Sequence, residues 1–144
     1  MTGLIKISVL SIDIHSDNET YFRIDISNNN CSTFLQFYGY DDSFHEFGQS
    51  LINFPQTIND TPIFEIGKDD IKWAYYLNIK VLCYDASGHS AIKIKAINNG
   101  DIISGYQSEF TIVAEAASIN QLGQLLTNWN PLKTKEVVWN SIKS

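Results

Sequence analysis

The chain has 144 residues, 44% of them hydrophobic, and a formal charge of −6, which predicts one packed domain and argues against disorder. Through Asp70 it carries eleven acids against Lys6, Arg23 and Lys68, and Arg23 is its single arginine; such a field repels nucleic acid and anionic membranes and attracts basic partners. No apolar run approaches the ~20 residues of a membrane span, no signal-peptide pattern opens the chain, and Cys31 and Cys83 are too few for a disulfide framework, so the expected setting is cytoplasmic, with both thiols reduced.

Residues 4 to 14 alternate, but the phase slips: Ile5, Ile7 and Val9 share one face, and Leu10, Ile12 and Ile14 share the next. That pattern predicts a β-bulge or a strand covered on both faces. Ser16-Asp17-Asn18 is turn chemistry. Phe22, Ile24 and Ile26 alternate with Arg23 and Asp25 in a half-buried strand, and a third strand runs from Phe34 to Tyr40. A short helix follows, with Ser43 and Glu46 spaced as a capping box, an apolar stripe of Phe44, Phe47, Leu51 and Phe54, and Pro55 to stop it. Thr61 to Ile66 reads as a short edge strand, where Pro62 is tolerated. The longest strand is expected from Trp73 to Tyr84, with Trp73, Tyr75, Leu77, Ile79, Val81 and Cys83 on its core face. Asp85 to Gly88 turns the chain into a strand holding Ile92, Ile94 and Ala96. Asn99-Gly100 then predicts a two-residue type I′ hairpin, with the return strand from Ile102 to about Val113. The second helix repeats the first, with Ser118 and Gln121 as the box, Ile119, Leu122, Leu126 and Trp129 as the stripe, and Pro131 beyond it. In the tail, Val137, Val138, Trp139 and Ile142 are expected to dock on the body.

The two helices are copies of one unit. Ser43 and Ser118 lie 75 residues apart (118 − 43), and at the same offset Leu35, Phe37 and Gly39 match Phe110, Ile112 and Ala114. The pattern predicts an α+β fold: an antiparallel sheet of two pseudo-repeated β-β-β-α halves, about 19–55 and 73–131, with two short helices packed on one face. Residues 1–144 form a single domain in this reading, with 132–144 as a C-terminal tail. Gly48 and Gly123, alone inside the helices, point to close packing against the sheet.

Chemistry-bearing patterns are scarce. His15, His45 and His89 are far apart and none has a ligand at metal spacing. Cys83 sits on the most apolar face of the chain, where thiols pack and do not react. There is no nucleophile elbow and no phosphate-cradling glycine loop. The expectation is therefore no catalytic residue, no metal and no cofactor. The paired acids Asp41-Asp42 and Asp69-Asp70 suit a helix N-terminus and a turn, and a cryptic enzyme using Asp41, Asp42 or His89 is the least favoured alternative. Residues 41 to 70 hold seven acids and one lysine beside Tyr38, Tyr40 and Trp73. Aromatic anchors beside a one-signed field suit a protein interface, which makes Tyr40, Asp41, Asp42, Glu46, Asp60, Glu65, Asp69 and Asp70 the candidate partner-binding residues. A sugar- or peptide-binding β module using exposed tyrosines and tryptophans is the alternative. An edge strand near Pro62 leaves room for a monomer or a weak dimer.

The order of a strand-ending aromatic, a short helix, a second sheet segment and the same helix again resembles bacterial immunity proteins, those that neutralise wall-associated and Rhs-type contact-dependent toxins. The matching pieces are Asp42 to Phe54, Ala117 to Trp129 and the Gly88-to-Ala96 strand between them; Ala116-Ala117 stand where that pattern has an acid before the second helix. The resemblance implies a small cytoplasmic, non-catalytic protein that binds one cognate toxin domain, often a nuclease or another basic enzyme, and blocks it.

Overall fold

The computed structural model describes residues 2–142; Met1, and Lys143 and Ser144 at the end of the expected tail, lie outside the described residues. Ten elements follow one another: β1 (Leu4–Asp13), β2 (Glu19–Ser27), β3 (Ser32–Tyr40), α1 (His45–Ile52), β4 (Ile63–Gly67), β5 (Tyr75–Cys83), β6 (Ser90–Asn98), β7 (Tyr106–Ala114), α2 (Ala116–Asn128) and β8 (Glu136–Asn140). The fold is α+β and built from the two expected β-β-β-α halves. Each meander forms its own antiparallel sheet, with strand orders β3-β2-β1-β8 and β4-β5-β6-β7. The fourth strand of each sheet is exchanged between the halves. The chain leaving α1 supplies β4 to the second meander, and the chain leaving α2 supplies β8 to the first.

The strand pattern follows from alternation. Phe22, Ile24 and Ile26 of β2 and Leu35 and Phe37 of β3 are buried, and so are Leu77, Ile79 and Val81 of β5 and Ile92, Ile94 and Ala96 of β6. With Phe44, Phe47, Leu51, Ile119, Leu122 and Leu126 from the helical segments they make one continuous cluster. The phase slip in β1 is a bulge, with the pairing to β2 shifting between Val9 and Ser11. Leu10 and Ile14 turn out to solvent there, so the second apolar face expected of this strand does not form. Asp17 and Asn18 both adopt positive φ in the predicted turn.

The helices turn their apolar stripes to the sheets and meet each other at two glycines. A Cβ placed on Gly123 would lie 2.8 Å from the Gly48 carbonyl oxygen, the Ile52 nitrogen and Leu51 Cβ; one on Gly48 would lie 2.8 Å from Leu126 Cβ and the Thr127 nitrogen. The two glycines let the backbones of α1 and α2 touch, so their close packing is against the other helix and not against the sheet as expected. Asn120 of α2 strengthens the crossing, its Nδ2 donating to the carbonyls of Leu51 at 2.9 Å and Phe54 at 2.8 Å. The Leu51 carbonyl also accepts from the Phe54 N–H at 3.2 Å, so Asn120 reinforces the chain where it leaves α1.

Neither capping box forms. The residue before α1 is Phe44 and that before α2 is Glu115, and neither makes a side-chain cap. Ser43 instead accepts a hydrogen bond from the Tyr40 N–H at 2.7 Å, bracing the turn out of β3. Ser118 lies inside α2, which starts two residues earlier at Ala116, and its hydroxyl donates to the Ser141 carbonyl at 3.0 Å. The tail is a true strand: β8 pairs with β1 from Leu4↔Asn140 to Ser8↔Glu136.

Asn99-Gly100 does not make a two-residue hairpin either, because β6 ends at Asn98 and β7 begins at Tyr106. The Asp101 carboxylate accepts from the Ile103 N–H, the Ser104 N–H and the Ser104 hydroxyl at 2.8 to 2.9 Å, which organises a wider loop. Ile102 and Ile103, read as strand, stand fully exposed at its tip. The Ser104 and Ile103 donors hold the Asp101 carboxyl below its ordinary 3.8. A depressed value contributes to folded-state stability above the ordinary value and is lost as pH falls through the lower one. In an NMR titration the Ile103 and Ser104 amide shifts should therefore follow a transition whose midpoint lies below 3.8. Asp101→Asn should abolish that transition, and a midpoint at or above 3.8 would count against the bonded carboxylate.

Candidate functional site

The site is built where α1 meets β4. Tyr40 ends β3, and the chain turns through Asp41 and Asp42, with the Ser43 N–H donating to the Tyr40 carbonyl at 3.0 Å and the His45 N–H to that of Asp42 at 3.0 Å. Glu46 follows in the first turn of α1, where the helix dipole favours a negative charge. The aromatic stripe decides where this helix lies. Phe44 stacks on Phe64 of β4 with centroids 4.5 Å apart and meets Phe22 edge-on at 5.2 Å, and Phe47 packs on Phe64 at 5.7 Å. Burying three rings against one another is worth several kcal/mol by the ~1.5–3 kcal/mol of a buried large side chain, so α1 is fixed beside the outer strand of the second sheet.

A groove of about 430 Å³ runs between them, lined by Ser43, Glu46, Phe47 and Ser50 on the helix side and by Pro62 to Ile66 on the strand side. Glu65 alternates with the inward Phe64 and Ile66. Its carboxylate accepts from the Tyr76 hydroxyl at 2.5 Å and from Asn78 Nδ2 at 3.5 Å. Burial, and then this bond to Glu65, raise the Tyr76 pKa above its ordinary value, so the phenol remains a donor and the carboxylate is held in place.

The other candidates sit on the same stretch in different roles. Asp41 and Asp42 border a second depression with His45 and Trp129. Asp60 accepts from the Gln56 N–H at 3.1 Å in the loop before β4. Asp69 pairs with Lys95 at 2.9 Å, and Asp70 accepts from the Lys72 N–H at 2.9 Å while its carbonyl takes the Trp73 N–H. The structure thus sets Glu46 and Glu65 along one groove, with the Glu65 carboxylate turned to Tyr76 and Asn78, puts Asp41 and Asp42 at a separate depression and Asp60 in the loop before β4, and places Asp69 and Asp70 in the loop past the end of β4. Trp73 is outside β5 and 44% exposed, beneath Lys68 at 5.3 Å, so it does not belong to the core face expected of it.

A related groove escaped the sequence reading. Between α2 and β8 lies a cleft of about 610 Å³ lined by Gln121, Gln124, Leu125, Trp129, Val137 and Val138, among others. Gln121 and Leu125 occupy the places of Glu46 and Ser50 in the repeat, 75 residues on (121 − 46), and β8 occupies that of β4. The repeat was the available signal, but the strand that walls this cleft had not been recognised as one.

At the far end of β5, the His89 ring Nδ1 meets Asp85 at 2.5 Å in an exposed turn, and that bond is the main cause holding the Asp85 carboxyl below its usual range. Among the described residues no three His, Cys, Asp or Glu side chains come together as ligands for a metal ion. No helix among them is long and apolar enough to cross a membrane. The chain matches no protein-family model, no curated protein and no solved structure.

Proposed function

We propose that this chain is a non-catalytic immunity protein that binds a cognate, basic protein toxin domain in the cytoplasm and occludes it through the acidic surface of α1 and β4. The observation that carries the reading is charge left without a partner. Among the described residues Asp41, Asp42, Glu46, Asp60 and Glu65 have no Lys or Arg within ion-pair distance, whereas Lys6, Arg23 and Lys95 are each paired elsewhere, with Glu136, Asp25 and Asp69. Unpaired charges of one sign steer and orient a partner of the other sign, and they do so through the association rate.

Capture with the tagged protein at low ionic strength should return a stoichiometric partner with a basic domain, and the complex should weaken steeply as salt rises. Reversing Asp41, Asp42 and Glu46 to Lys should abolish capture while the circular dichroism spectrum stays unchanged. Undiminished capture by that folded variant would remove this surface from the mechanism.

A sugar- or peptide-binding module is the second reading, favoured by the solvent face of β2 and β3. There Tyr21 and Tyr38 lie with centroids 4.4 Å apart and Tyr38 and Tyr40 are exposed. It predicts weak binding that salt does not alter.

A further inference from the structure

From the pairing pattern of β4 we infer that the α1–β4 groove is a strand-docking site, in which an extended, lysine- or arginine-bearing segment of the protein partner adds to the open edge of β4. This rests on the immunity reading for the partner's identity and adds the mode of binding. β4 is the terminal strand of its sheet and pairs with β5 from Ile63↔Lys80 to Gly67↔Tyr76. The Val81 N–H donates to the Pro62 carbonyl at 2.9 Å, which fixes the phase of the ladder. In an antiparallel pair the bonded residues alternate. Pro62, Phe64 and Ile66 therefore turn their backbone groups toward β5, and Ile63 and Glu65 turn theirs to the open side. Among the described residues no backbone group from another element meets the Ile63 or Glu65 N–H or carbonyl.

Charge selects the occupant. Phe64 and Ile66 point inward to the side where α1 lies, so Glu46 borders that side of the groove and Glu65 stands on the opposite face of the strand. A strand laid along this edge alternates its side chains between the two faces and meets a carboxylate on each. The fold does not demand these charges. In the repeated groove the residues 75 positions on are Gln121 of α2 and Asn140 of β8 (121 − 46 and 140 − 65), both uncharged, and α2 and β8 still enclose a cleft. A second copy of this chain would bring Glu65 near Glu65 in a paired edge, and like charges across strands oppose pairing. A basic strand is attracted where a self-copy is repelled.

The test uses the isotope-labelled full chain and an acetylated, amidated peptide of repeating Lys-Lys-Val-Val, which presents cations on both faces of a strand. Adding it should shift the Ile63 and Glu65 amides and slow their hydrogen exchange. Glu46→Gln and Glu65→Gln should each weaken the peptide about tenfold at low salt. A Glu-Glu-Val-Val analogue should not bind. Ile63→Pro removes an N–H that β5 does not use, so it should keep the fold and abolish docking. The same peptide N-methylated along one edge, given to the unaltered protein, should also fail to dock. Equal binding of the N-methylated peptide, shifts confined to other parts of the surface, or no binding at low salt would overturn the proposal. Slow exchange at Ile63 and Glu65 caused by self-association without peptide would assign the edge to a second copy and overturn it too. The two readings fail separately: a partner lost on reversing Asp41, Asp42 and Glu46 but indifferent to Ile63→Pro leaves the immunity reading standing without strand docking. Peptide docking with no salt-sensitive protein partner does the opposite.

Discussion

Replacing Trp139 by Ala should cost about 3–5 kcal/mol, the range for emptying a buried Trp or Phe site, and leave a domain of ordinary stability close to unfolding at room temperature. Trp139 is only 2% exposed although it lies on a five-residue strand and three positions before the exposed Ile142. Opposite it on β1 is Ile5, and its indole N–H donates to the Ser118 carbonyl of α2 at 2.9 Å. The Ser118 hydroxyl returns to the Ser141 carbonyl, and the Ser141 hydroxyl accepts from the Gly3 N–H at 2.6 Å. One side chain therefore ties the exchanged strand to the helix that precedes it and to the sheet it joins. Urea unfolding should show the midpoint falling with little change in slope. Trp139→Phe keeps much of the aromatic bulk but loses the indole donor to the Ser118 carbonyl, and should cost less, about 1–3 kcal/mol. Trp73→Ala, at an exposed ring, should stay within about 0.5 kcal/mol. Equal effects at Trp139 and Trp73 would show that β8 does not hold the fold together.

Gly123→Ala should destabilise by about 1–3 kcal/mol, in the range of overpacking, even though alanine is the better helix former by about 1 kcal/mol. The propensity gain is outweighed because the new methyl would stand 2.8 Å from backbone atoms of α1, the Gly48 oxygen and the Ile52 nitrogen. Backbone cannot rotate out of the way as a side chain can, so the helices must part, and Asn120 then loses its hold on the Leu51 and Phe54 carbonyls. Gly48→Ala acts on the same crossing, so the double variant should cost less than the sum of the two, as expected of residues that share one contact. Thermal unfolding of the two single variants and the double completes the cycle. A Gly123→Ala protein as stable as the parent would mean that the helices are not in backbone contact.

Alternation and the repeat carried most of the fold in the sequence. Phe22, Ile24 and Ile26 announce β2 because a half-buried strand needs an apolar residue at every second place, and the slip after Val9 marks a bulge by the same rule. The helices were legible through their stripes, whose rings do face the core. Their starts were not, since Ser43 and Ser118 find partners in the Tyr40 N–H and the Ser141 carbonyl; the second of these is a tertiary contact that no local spacing encodes. β8 was missed as a strand because Val137-Val138-Trp139 has no alternation to read and its partner β1 lies at the other end of the chain. Asn99-Gly100 misled because Asp101, just beyond it, offers a carboxylate to three donors and stabilises a longer loop. At the site, the acidity of residues 41 to 70 was plain in the sequence. That Glu46 and Glu65 share a groove depends on Phe44 and Phe47 docking on Phe64, which is a matter of packing.

The measurement to make first compares two variants of equal net charge against the partner captured at low salt. Asp41→Asn, Asp42→Asn and Glu46→Gln together move the chain from −6 to −3, and so do Gln121→Lys, Gln124→Lys and Asn128→Lys together on the α2 side. If the α1–β4 surface receives a basic partner, the first variant should lose at least about tenfold in association rate and the second should change far less, because screening confines the effect of an exposed charge to about 10 Å at 0.1 M salt. Equal losses in both would mean that only the overall charge matters and that this surface is not where the partner binds.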